Sequence, residues 1–171
     1  MSWFRKVKQK EQSTPELTTS ILYNEHTFYN QFVKDLLEAK EEVIIESPYI
    51  TQKRLTMLKP TFEKLVRKGV QIFILTKDPQ EHDTVMAKQS ESGISYFETL
   101  GLQVLLIKGG HHRKLAIIDR KISWEGSLNI LSQSNSREFM RRIASKKLAE
   151  ELFQFLRFDT IDIFRKKLDL V

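Results

Sequence analysis

Residues 109–138, GGHHRKLAIIDRKISWEGSLNILSQSNSRE, concentrate side chains that can handle a phosphate. His112, Lys114, Asp119, Gly126, Ser127 and Asn129 follow the pattern H-x-K-x4-D-x6-G-S-x-N. Residues 114–118 read as a strand after a Gly-Gly turn, and residues two apart on a strand share a face. His112 and Lys114 are therefore expected side by side. A neutral imidazole beside an ammonium can attack phosphorus while the cation holds the phosphate oxygens. Ser127 and Asn129, two apart after residues 122–124, can offer a hydroxyl and an amide to the same phosphate from a neighbouring strand. Gly126 allows a close backbone approach. A nucleophilic histidine also needs its other ring nitrogen held in one tautomer, which a carboxylate does while stabilising the charged ring. His111 is expected to point to the opposite face, as a neighbour and not a catalyst. No cluster of carboxylates accompanies these groups, so neither a metal site nor a cofactor is expected.

The elements that must position these groups are legible as apolar periodicity. From residue 27 to about residue 40, Phe28, Phe32, Val33, Leu36 and Leu37 recur at helical spacing. His26, just before them, reads as a surface or capping residue. Val43-Ile44-Ile45 is a short strand buried on both faces, ended by Ser47-Pro48-Tyr49. Leu58, Phe62, Leu65 and Val66 line a second helix, with Pro60 at its start or within it and Gly69 terminating it. Residues 70–75 form a second strand. Residues 77–90 read as a polar loop, where His82 between Glu81 and Asp83 is loop charge and not a ligand set. A short helix through Tyr96, Phe97 and Leu100 ends at Gly101, and a third strand covers residues 103–107. Helices alternating with short, doubly apolar strands predict an α/β sandwich with helices on both sheet faces. Leu148, Leu152, Phe153, Leu156, Ile161, Phe164 and Leu168 predict one or two C-terminal amphipathic helices, with a break near Asp159-Thr160. Residues 1–19 have no such periodicity and are expected to be a mobile arm, leaving residues 20–171 as a single domain.

A chain of 171 residues can bury a core without staples. The absence of cysteine excludes a disulfide framework, a thiol nucleophile and a thiolate zinc site, and fits a reducing compartment. No apolar run approaches the roughly 18 residues of a membrane span. The N-terminal MSWFRKVKQK has no apolar stretch behind its charges, so a cytoplasmic protein is expected. Lysine and arginine total 28 against 22 acidic residues, a net charge of +6 and a pI near 9.5. That surplus attracts polyanions, either nucleic acid or an anionic membrane surface. Arg137, Arg141 and Arg142, with Lys146 and Lys147, add a basic flank suited to a phosphate backbone.

The motif resembles the signature of the phospholipase D superfamily, the HKD proteins, and the resemblance spans roughly residues 20–145. It implies a phospholipase D-like α/β sandwich, a mixed sheet flanked by helices on both faces, and a metal-independent phosphodiesterase. In such enzymes one histidine attacks to form a phosphohistidine. A second, from a second motif, protonates the leaving oxygen, and water then releases the product. The resemblance implies His112 as nucleophile and Lys114, Ser127 and Asn129 as phosphate ligands. It groups Asp119 with the catalytic set, mainly as an organiser of backbone and charge, and makes Glu138 the acid that holds His112. This chain carries one motif, because neither His26 nor His82 is followed by a lysine at the required spacing. A symmetric homodimer with both copies of His112 at its axis restores the pair, which is the plan of small bacterial HKD nucleases. A nuclease cutting DNA or RNA is therefore the leading expectation. One alternative is a lipid or small-molecule phosphodiesterase, for which only Trp3 and Phe4 hint at an apolar, membrane-facing surface. Another is a nucleic-acid-binding subunit of a larger defence or repair complex. The stretch from Gly126 to Arg142 is also similar to HKD domains found beside DNA helicase or ATPase modules, which implies such a module as a partner.

Overall fold

The computed structural model describes residues 18–161. Seven strands form one sheet: β1 (Thr19–Asn24), β2 (Glu42–Glu46), β3 (Gln71–Lys77), β4 (Gln103–Ile107), β5 (Leu115–Ile118), β6 (Ile122–Gly126) and β7 (Phe139–Ala144). Their spatial order is β1-β7-β6-β5-β2-β3-β4. β2, β3 and β4 run parallel to one another, whereas every pairing from β2 through β5, β6 and β7 to β1 is antiparallel. Parallel neighbours need crossover connections. These are supplied by α2 (Gln52–Arg67) and α3 (Thr84–Thr99), while α1 (Phe28–Glu38) links β1 to β2 and α4 (Lys146–Phe155) follows β7. The expected mixed sheet with helices on both faces is the fold observed.

Each face has its own core. On one, α1, α2 and α3 deliver Phe28, Phe32, Leu36, Leu58, Phe62, Leu65 and Phe97 onto Val43, Ile45, Ile72, Ile74, Ala116, Ile118 and Trp124. On the other, Ala149 and Phe153 of α4, with Phe158, cover Ile44, Phe73, Leu75, Leu115 and Ile117. Because β2 and β5 are covered on both sides, all their residues are buried, which explains their unbroken apolar runs. Among the described residues no helix is long and apolar enough to cross a membrane.

Four local features refine or correct the expectations. Most of residues 77–90 is not loop. After a single 3₁₀ turn, Pro79–Glu81, α3 begins at Thr84, capped by the Asp83 carboxylate, which accepts the Met86 N–H at 2.9 Å. Its buried stripe includes Ser90 and Gly93, and a Cβ at Gly93 would stand 2.5 Å from Ile50 Cγ2. A helix packed through small residues leaves little apolar periodicity to read. Second, α2 starts at Gln52, and of the two expected places for Pro60 it takes the one inside the helix. Third, Arg141 and Arg142 of the expected basic flank lie in the interior strand β7, and β1 begins at Thr19, the last residue of the expected arm. Fourth, the C-terminal helix ends at Phe155, before Asp159. Phe158–Thr160 is a 3₁₀ turn entered through Arg157 at φ +57°. Trp3, Phe4, Phe164 and Leu168 lie outside the described residues.

Candidate active site

Strand direction decides where the motif residues gather. Glu46 at the end of β2 pairs with Leu115 at the start of β5, Leu115 pairs with Glu125, and Gly126 at the end of β6 pairs with Met140 near the start of β7. His112 and Lys114 precede β5, Ser127 and Asn129 follow β6, and Glu138 precedes β7. All five therefore lie along one edge of the sheet, the edge at which β2, β3 and β4 also end.

Asp119 is not among them. It follows β5 and sits at the opposite edge, about 16 Å of extended chain from Lys114 at about 3.3 Å per residue. There its carboxylate accepts the backbone N–H groups of Lys40, Glu41 and Glu42 at 2.9, 2.9 and 3.0 Å. Asp119 and Arg120 both have φ near +50°, and the Lys121 N–H closes the turn onto the Ile118 carbonyl at 3.0 Å. A short carboxylate side chain tolerates that left-handed conformation better than most. Asp119 thus ties the β5–β6 turn to the start of β2. It makes no hydrogen bond or ion pair with the other motif residues.

At the site edge the four polar residues are poised differently. His112 is exposed, and the Lys114 ammonium donates to the His112 carbonyl at 2.6 Å, so imidazole and cation are tied within one segment. An ammonium has three donors, which leaves two for a phosphate. The Ser127 hydroxyl accepts the Phe139 N–H at 3.2 Å, so its own proton remains to be donated. Ser127 N–H donates to the Phe139 carbonyl at 3.0 Å, and a Cβ at Gly126 would lie 2.2 Å from that same oxygen. The close approach that Gly126 permits is therefore between β6 and β7. Asn129 has a buried Oδ1 with no hydrogen-bond partner. An amide turned over about its last bond presents its NH2 at the same place, as an anion requires.

The loop from Ile130 to Glu138 is pinned by residues with no sequence signal, since their partners lie 79 to 113 positions away. The Tyr29 hydroxyl donates to the Ile130 carbonyl at 2.8 Å, and burial raises its pKa well above the ordinary phenol, so it stays a neutral donor. Arg54 lies 4.1 Å over the Tyr29 ring and donates to the Gln133 carbonyl at 2.6 Å. Ser47 accepts the Leu131 N–H at 3.2 Å, and Glu25 accepts the Glu138 N–H at 3.1 Å. Hydrogen bonding from its own backbone N–H, and then from that of Glu138, holds the Glu25 carboxyl below the usual range.

Two expectations change here. The Glu138 carboxylate makes no bond to His112 within this chain: β7 is two strands from β5, about 10 Å at ordinary strand spacing. Of the three arginines, Arg142 is committed to the core side. Its Nε and Nη2 donate to Asp35 at 2.7 and 3.0 Å, and Trp124 Nε1 donates to the same carboxylate at 2.9 Å. That hydrogen bonding raises the Arg142 pKa further and removes it from any nucleic-acid surface. Arg141 points to the other face and donates to Ser20 at 2.8 Å, and Arg137 is exposed beside Glu138. His111 is buried, with Nδ1 3.4 Å from Glu46 Oε1. Among the described residues no group of three or more His, Asp or Glu side chains forms a metal ligand set.

The sequence profile of the family described as "Cardiolipin synthase, PLD-like domain" matches residues 32–158. Searched against curated proteins, the sequence has no significant match. Among solved structures, NucT from Helicobacter pylori superposes with a TM-score of 0.68 at 20% identity, over 90% of this chain and 97% of that one. Nuc from Salmonella typhimurium, a phospholipase D family member, gives 0.66 at 16% identity, over 81% and 91%. Phosphatidylserine synthase from Haemophilus influenzae gives 0.65 at 17% identity, over 85% of this chain but 39% of that one.

Proposed function

Because the chain belongs to the phospholipase D-like family, we propose that it is a metal-independent phosphodiesterase that cleaves nucleic acid through a phosphohistidine on His112. The observation that carries this reading is the gathering of His112, Lys114, Ser127 and Asn129 at one sheet edge, with donors left over for a phosphate. A ring nitrogen of His112 attacks phosphorus, and Lys114, Ser127 and Asn129 hold the non-bridging oxygens as charge builds on them. The bond to the leaving oxygen breaks as a second imidazolium gives that oxygen its proton. Water then attacks the phosphohistidine, passing a proton to the second imidazole, and His112 is released unchanged.

The second imidazole is the partner's copy of His112 in a symmetric homodimer whose site is shared across the axis. Nucleic acid is favoured over lipid by exposed cations near the same edge. The side chain of Lys108 is 76% exposed, and Arg137 is exposed as well. The test is cleavage of single-stranded DNA, duplex DNA and RNA in EDTA. His112→Ala is expected to lose at least about 10³-fold in turnover. Activity that vanishes in EDTA and returns with magnesium refutes the chemistry. For the dimer, His112→Ala is mixed with wild type under verified subunit exchange, and mixed dimers are expected to be nearly inactive. Activity that falls only in proportion to the mutant fraction refutes the shared site.

A further inference from the structure

Beneath the exposed His112 lies a buried acid that the chemistry above does not use. Glu46, the last residue of β2, is fully buried. A buried carboxylate is costly unless paired, and its partners come from either side of the nucleophile. Arg113 Nε and Nη2 both lie 2.7 Å from Glu46 Oε1, and His111 Nδ1 lies 3.4 Å from the same oxygen. Residues 111 and 113 thus reach inward onto one carboxylate. In an extended segment alternate residues face opposite ways, so anchoring 111 and 113 turns His112 and Lys114 outward toward the phosphate. We propose that Glu46, gripping Arg113 and His111, is the positioning residue that holds the His112–Lys114 segment in its reactive orientation.

The segment needs such a hold. It is not part of β5, which begins at Leu115, and it is preceded by Gly109 and Gly110 at φ +85° and +72°, with open space where side chains would be. Two glycines in that conformation give the chain a hinge and no packing. On the far side of the hinge, the Gly109 N–H is held by Glu81 Oε1 at 2.9 Å. On the near side, Glu46 is the fixed point, because β2 lies between β5 and β3 and is buried along its whole length. Charge fits the role. Burial alone raises the Glu46 pKa, and the Arg113 guanidinium opposes that rise, so the ion pair keeps an otherwise costly anion in place. Only Oε1 is engaged. Glu46 Oε2 and His111 Nε2 are buried without partners, so the grip depends mainly on Arg113.

This inference rests on the proposed nucleophile only for its catalytic consequence, and the experiment separates the two. Arg113→Ala is the first variant, since its side chain is half exposed; Glu46→Gln, which leaves no buried charge unpaired, tests the same contact from the buried side. Amide hydrogen exchange across residues 109–114 is expected to accelerate in both, while β2, β5 and β6 keep wild-type protection. With bis(4-nitrophenyl) phosphate in EDTA, kcat is expected to fall about 10- to 100-fold with KM within about twofold, the cost of an ångström-scale misplacement. Arg113→Lys, which keeps one contact, is expected to recover part of the loss. Unchanged exchange at residues 109–114 overturns the proposal, as does acceleration spread evenly over the sheet, which would mark Arg113 as a general stabiliser. Wild-type kcat in Arg113→Ala overturns it equally. A wild-type protein that cleaves no phosphodiester would remove the functional reading, yet the exchange measurement would still decide whether Glu46 holds the segment.

Discussion

Replacing Asp119 by alanine separates an architectural carboxylate from a chemical one. Its two oxygens accept three backbone N–H groups at 2.9, 2.9 and 3.0 Å. A hydrogen bond to a charged group contributes about 1.5–3 kcal/mol when its loss leaves the partner unsatisfied. Two of these donors, Lys40 and Glu41, sit at an exposed corner where water replaces the carboxylate, so a net loss near 0.5–1 kcal/mol per bond is the better figure. Alanine is also less at ease than aspartate at φ +50°. With about 1.5–3 kcal/mol for the donor of buried Glu42, these terms give a destabilisation of about 3–5 kcal/mol. At roughly 2–4 °C per kcal/mol for a chain of this size, Tm falls by about 6–20 °C. Asp119→Asn, which keeps one acceptor and the turn preference, loses about half as much. Urea unfolding followed by circular dichroism measures the loss, and turnover is compared at 15 °C, where the variant is still folded. Retained turnover at reduced stability is the expected pair. Wild-type stability with turnover down a hundredfold would refute the reasoning and place the carboxylate in the chemistry.

Gly126→Ala drives a Cβ to 2.2 Å from the Phe139 carbonyl, so β6 and β7 must part; a loss of about 1–3 kcal/mol is expected by urea unfolding, with turnover falling as Ser127 shifts. Arg142→Ala leaves Asp35 buried and half-paired and is expected to cost about 3–5 kcal/mol, yet the salt dependence of nucleic-acid binding stays unchanged. Arg137→Ala shows the reverse pattern, with near wild-type stability and a salt slope reduced by about one in a titration of log K against log salt. Burial, with the charges of Arg113, His112, Lys114 and Lys77, lowers His111 to about 4. Below its ordinary pKa of about 6.5 the unfolded chain then binds the extra proton first. His111 thus withdraws stability as pH falls from about 6.5 toward 4, on the order of 2–3 kcal/mol in all. Glu46, whose pKa is raised, acts with the opposite sign, so the His111 share is read as the difference between wild type and His111→Gln in unfolding at pH 7, 5.5 and 4.5. A variant with the same pH slope as wild type would refute the assignment.

Where apolar burial is two-sided, local sequence is enough. Val43-Ile44-Ile45 and residues 115–118 are apolar at every position because both faces of the sheet are covered. Phe28, Phe32 and Leu36 recur at helical spacing because α1 buries a single stripe. The gathering of the candidate site residues was legible for a related reason: Lys114 immediately precedes one strand and Ser127 immediately follows the next, and an antiparallel pairing of adjacent strands brings those ends together. Other features depend on contacts that no local pattern records. α3 packs through Ser90 and Gly93 against Ile50, so its buried face carries little hydrophobic signal. Arg142 reads as a surface charge until β7 is threaded between β1 and β6, where the alternation of side chains turns it onto Asp35. Asp119 looks like part of the chemistry in sequence because it is seven residues from His112. Only the length and direction of β5 carry it to the far edge, beside Lys40, Glu41 and Glu42. The type and order of the reactive groups are written in the chain; which of them meet is decided by strand direction, and which charges remain for a substrate is decided by what the core has already paired.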